Sequence, residues 1–115
     1  MDLAKIAAKL GLQIAAGAAS LDRDVRAGYV SDLLSDVIAN AQAGALWVTI
    51  QTHANIAGVA ALNDLAGVVI AHGRQPADEL LAKAEDEGIP LLLTPLTSFE
   101  VVGQLYKLGV RGTAS

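Results

Sequence analysis

Three stretches of the sequence, ALWVTI at 45–50, AGVVIAH at 66–72 and IPLLLT at 89–94, are apolar without alternation. A strand that shows one face to water alternates apolar and polar residues, so strands of this kind have both faces covered. Segments of helical period separate them. A sheet built from such strands is largely parallel, with helices on both faces, reached by right-handed crossovers. The expected architecture is therefore a single α/β domain over residues 1–110, with residues 111–115 a disordered tail.

The remaining segments extend the alternation. Asp2 is placed to cap a first helix with Leu3, Ile6, Ala7 and Leu10 at helical spacing, and Gly11 to stop it. LQIAAG and DVRAGYVS read as two short strands. Leu34, Val37, Ile38 and Ala41 predict a helix closed at Gly44, and another is expected over 54–62. Pro76 opens the next, with Asp78 and Glu79 in its first turn and Gly88 at its end. Thr97 and Glu100 make a T-x-x-E capping box for a last helix through Leu108. Strand order is not contained in this pattern.

A formal net charge of −4 and no basic run exclude a sequence-independent grip on nucleic acid, which needs clustered Lys and Arg. Without cysteine there is no disulfide, no thiolate metal site and no Cys nucleophile, and the cytoplasm is the default compartment. MDLAKIAAKL reads as a short amphipathic helix, not a signal peptide, and no apolar run approaches the roughly 20 residues that span a bilayer, so no membrane partner is expected. Hydrophobic residues make up 53% before the 11 glycines are added, against about 45–50% with glycine in an ordinary soluble domain. That excess implies burial beyond one small core. The helix ANIAGVAAL has a single polar side chain, Asn55; its small residues Ala57, Gly58 and Ala61, with Val101, Val102, Leu105 and Tyr106 on the last helix, predict a two-fold homodimer.

In a parallel sheet, ligands meet the carboxyl ends of the strands beside helix N-termini. The strand exits carry Ser31-Asp32, then Gln51-Thr52-His53 with Asn55, then His72-Gly73-Arg74, then Thr94. Ser31, Asp32 and Thr94 also suit plain capping; Gln51 and His53 are poor caps with long reach, and Arg74 suits a phosphate or carboxylate. His53 and His72 lack the spacing of a metal pair, and neither a G-x-S-x-G elbow nor a Walker A loop is present. No metal or cofactor is expected. A Ser31, His53 and Asp32 or Asp36 triad can be written, which leaves a small hydrolase or transferase using Asp32 and His53 as a distant alternative to a binding module.

GYVSDLLSDVIANAQAG, LWVTIQTHANIAGVAAL, GVVIAHGRQP and EGIPLLLTPLTSFEVVGQLYKLG together resemble the stand-alone DRTGG-domain proteins, related to the module near the N-terminus of HPr kinase/phosphorylase. Asp22-Arg23 match the first two letters of the family's pentapeptide. The module also accompanies CBS domains in some inorganic pyrophosphatases and occurs in some phosphotransacetylases. The resemblance implies a fold like the N-terminal domain of MurF-type ligases and a regulatory or assembly role, beside a partner enzyme, in place of catalysis. It also implies a ligand site over 30–36 and 49–55, which adds Thr49 to the candidates.

Overall fold

The computed structural model describes residues 1–113. Helix α1 (Leu3–Leu10) leads into strand β1 (Gln13–Ala16), and a 3-10 turn at Ala18–Ser20 crosses to β2 (Ala27–Val30). There follow α2 (Leu34–Asn40), β3 (Ala45–Thr49), α3 (Asn55–Leu62), β4 (Gly67–Ile70), α4 (Asp78–Glu87), β5 (Leu91–Leu93) and α5 (Ser98–Lys107). The five strands form one sheet in the order β1-β5-β4-β3-β2. β2 to β5 are parallel; β1 joins β5 antiparallel, with Gln13 opposite Leu93.

The unalternating strands are buried on both faces, as their composition requires. Ala45 and Trp47, Val68 and Ile70, and Leu91 and Leu93 pack on one side with Val37, Ile56 and Leu80 of α2, α3 and α4. Leu46 and Val48, Val69, and Leu92 pack on the other with Ile6 of α1 and Val101 and Leu105 of α5. All three crossovers between parallel neighbours thus lie on one face, whereas the chain leaving β5 turns to the other. Burying each branched or aromatic side chain here contributes about 1.5–3 kcal/mol.

The helix boundaries follow the caps. Asp2 Oδ1 accepts from the Lys5 N–H at 2.9 Å, Thr97 Oγ1 from the Glu100 N–H at 3.3 Å, and Gly11 and Gly88 end their helices left-handed. Two boundaries differ from expectation. α2 stops at Asn40, four residues before Gly44, because the Asn63 carboxamide reaches across to donate to the Val37, Ile38 and Ala41 carbonyls at 3.0, 3.1 and 2.9 Å. Those orphan acceptors are satisfied from another element, and Gly44, at φ 83°, makes the turn into β3. α4 starts at Asp78, two residues after Pro76, since the Ala77 N–H is drawn to the Thr52 carbonyl at 3.0 Å.

The apolar helix faces are also narrower than the sequence suggests. Ala57, Val101 and Leu105 are buried within the chain, α3 being flanked by α2 and α4 and α5 lying on the sheet. Gly58, Ala61 and Leu62 stay exposed on α3, and Phe99 and Tyr106 on α5. Arg111 accepts a hydrogen bond from the Gly28 N–H through its carbonyl at 2.9 Å. Of the tail expected over 111–115, residues 114–115 lie outside the described residues. Among the described residues, no helix is long and apolar enough to cross a membrane.

Candidate functional site

All the candidate residues lie along the carboxyl edge of the parallel strands, but they fall into two groups. At the exits of β2 and β3, side chains bond to one another. Asp32 Oδ1 accepts from the Thr49 hydroxyl at 2.8 Å and from the Ile50 N–H at 2.9 Å. The Gln51 carboxamide donates to the Asp32 carbonyl at 2.8 Å, and the Gln51 N–H to the Thr49 hydroxyl at 3.1 Å. Thr49 is fully buried, so this network supplies the partners its hydroxyl needs. Trp47, also fully buried, completes the closure by donating Nε1–H to the Ser31 carbonyl at 2.8 Å.

Behind this network Tyr29 donates its hydroxyl to Asp36 at 2.8 Å, and Asn40 donates to the same carboxylate at 2.9 Å. Hydrogen bonding from Ser31, then from Tyr29 and Asn40, holds the Asp36 carboxyl below the ordinary carboxylate range. The bond to Asp36, with burial and the carboxylate's charge, pushes the Tyr29 phenol up. The Ser31 hydroxyl also faces the Leu33 backbone, accepting from its N–H at 3.2 Å.

The Asp32 and His53 pairing expected of a hydrolase does not form. Asp32 Oδ1 is committed to Thr49 and Ile50, and no hydrogen bond joins Asp32 or Ser31 to the exposed His53 imidazole among the described residues. His53 contributes its carbonyl to the Ile56 N–H at the start of α3, where Asn55 is exposed. His72 has a structural part: its Nε2 accepts from the Ser98 N–H at 3.1 Å, capping α5. No group of three or more His, Asp or Glu side chains suited to a metal is present among the described residues.

At the exits of β4 and β5 the geometry opens. The chain leaves β4 toward α4 on one face and leaves β5 toward α5 on the other, so the two connections diverge although their first residues stay hydrogen-bonded to each other. Such a switch point leaves a crevice outside the strand ends. A cavity of about 260 Å³ occupies it, lined by Gly73, Arg74, Gln75, Thr94 and Pro95, and by Gly11 and Gln13 brought round by the antiparallel pairing of β1. The β4 loop is held firmly. His72 sits at φ 64°, which is uncommon for a residue with a side chain, and its N–H donates to the Leu96 carbonyl at 2.8 Å while that of Gly73 donates to Thr94 at 3.0 Å.

Sequence reasoning found Gly73, Arg74 and Thr94 but missed Gln13 and Gln75. Gln13 reads as an edge-strand residue, and only the position of β1 beside β5 brings it to this end of the sheet. The matched family letter Arg23 lies elsewhere: its guanidinium donates to the Leu65 and Asp64 carbonyls at 2.8 and 3.2 Å and pairs with the Asp64 carboxylate at 3.1 Å, at the opposite end of β4. It is a fastener between loops.

No protein-family model and no curated protein matches the sequence. Among solved structures, the fold is similar to the CBS and DRTGG domains of the regulatory region of Clostridium perfringens pyrophosphatase, crystallised with its activator diadenosine tetraphosphate. The TM-score is 0.72 at 15% sequence identity, over 89% of this chain and 44% of that one, so this chain spans less than half the length of the structure it matches. At that identity the likeness is one of fold, that of a DRTGG-like α/β domain.

Proposed function

We propose that the chain is a non-catalytic regulatory module of the cytoplasm that takes a small polar or phosphorylated ligand, nucleotides included, at the carboxyl edge of its sheet. The crevice beside the β4 and β5 exits is the observation that carries this reading. Its fold relative belongs to a regulatory region solved with a nucleotide activator, which supports the same class of role. A thermal-shift panel of nucleotides and phosphorylated metabolites tests it: a ligand at 100 times its dissociation constant stabilises by about 2.7 kcal/mol. No shift across the panel would exclude it.

A second reading, an assembly module that pairs with itself or with a partner enzyme, is favoured by the exposed apolar stripe of Gly58, Ala61 and Leu62 on α3. A homodimer through that face would scatter light at twice the 11.8 kDa chain mass. Gly58→Glu would then return the mass to the monomer without unfolding, because a Cβ at Gly58 meets open space.

A further inference from the structure

We propose that the β4–β5 crevice is an oxyanion subsite, in which Arg74 binds the terminal phosphate or carboxylate of a small ligand. The proposal rests on the reading of this edge as a ligand site and gives it a chemistry.

Charge is the first argument. The chain carries 12 acidic and 8 basic residues, yet no carboxylate lines this cavity. Its charged side chain is Arg74, and its other side-chain hydrogen-bonding groups are the Gln13 and Gln75 carboxamides and the Thr94 hydroxyl. The contrast with the cavity at the other end of the sheet is sharp, for there Arg23 and Arg26 share the lining with Asp24 and Asp64, and Arg23 is paired. Arg74 forms no ion pair or side-chain hydrogen bond among the described residues, so its planar fork of donors is free to meet a planar or tetrahedral oxyanion.

Rigidity is the second. Arg74 follows two residues of positive φ whose N–H groups are tied to the β5–α5 loop, and its own N–H donates to the Ala71 carbonyl at 3.3 Å. The backbone of Arg74 is therefore held on a fixed turn, which leaves only its side chain to be ordered on binding. In the same cavity lining, Thr94 is only 3% exposed. Its oxygen accepts from the Leu96 N–H at 3.2 Å, while its hydroxyl proton has no acceptor among the described residues and is left to donate to a ligand. A cavity of about 260 Å³ falls below the 300–1,000 Å³ of sites that enclose a drug-sized molecule, so it suits the anionic end of a ligand whose remainder lies along the open edge.

The test titrates the full chain with inorganic phosphate, and separately with malonate, at constant chloride, following backbone amide resonances. Saturable shifts at Gly73, Gln75 and Thr94 are expected, and in Arg74→Gln the dissociation constant should rise about tenfold or more. Gln51→Ala should bind as wild type. The tighter of the two probes identifies phosphate or carboxylate as the natural group. No saturable shift at those amides, or shifts that Arg74→Gln leaves unchanged, overturns the subsite. A nucleotide that stabilises wild type and Arg74→Gln equally would leave the regulatory reading standing and remove this one.

Discussion

The two halves of the sheet's carboxyl edge have similar raw material and opposite outcomes. At β2 and β3 the exits carry Ser31, Asp32, Thr49 and Gln51; at β4 and β5 they carry His72, Arg74 and Thr94. The first set is consumed in internal hydrogen bonds; of the second, His72 caps α5, whereas Arg74 and Thr94 border a cavity. Topology makes the difference. The chain leaves β2, β3 and β4 toward helices on one face, so the first two exits lie against each other and their polar groups meet. It leaves β5 toward the other face, so beyond the backbone bonds that join the last two exits their connections diverge. Polar residues at these strand ends therefore border an open cavity where the neighbouring connections diverge.

The largest expected effect comes from breaking the strand that walls the open half. Gly17, at φ 72°, follows β1 and lies against the Ile89 and Pro90 backbone, where a Cβ has no room. Gly17→Val should destabilise by about 3 kcal/mol or more, read by chemical denaturation, because strain and a backbone clash add. Wild-type stability in that variant would show that β1 is not seated as described. Next, Thr49→Val keeps the shape but removes the hydroxyl that serves Asp32 and Gln51; it should cost about 1–3 kcal/mol. A loss under a few tenths would mean the closed half is not closed by this network.

A smaller effect separates the halves by pH. The Asp36 carboxyl is depressed in the folded chain, so its contribution is complete above the unfolded value near 4 and is lost as pH falls through the lower folded one. Stability of wild type should therefore fall more steeply than that of Asp36→Asn below about pH 4. Parallel curves would sink the assignment. The raised Tyr29 phenol gives the mirror case: its contribution is complete below its ordinary value near 10 and fades as pH climbs beyond it. Smallest of all, Arg74→Gln should shift stability by less than about 0.5 kcal/mol without ligand, since the side chain is exposed and unpaired among the described residues.

What could be read from the sequence follows from range. Burial on both faces is written into ALWVTI and IPLLLT residue by residue, and the caps at Asp2 and Thr97 need only three residues of context, so class and element order were legible. Asn63 ending α2 was not, because an amide 22 residues or more away in sequence does the capping. The switch point was hidden for the same reason: it depends on strand order and on which face each helix takes. Gln51 and His53 therefore drew attention equal to Arg74, although the fold leaves the first bonded, the second in the open and the third at a cavity.

The single tryptophan gives the molecule a built-in optical gauge. Its indole is wholly enclosed and its N–H is spoken for by the Ser31 carbonyl, so its emission reads the dryness of one core layer and the seating of the β2 exit at once. Folded chains should emit at short wavelength and unfolded ones at long, with two tyrosines and no other indole to blur the signal. Ligands at the far crevice should leave that colour untouched, which makes the residue an internal standard against which events at Arg74 can be timed.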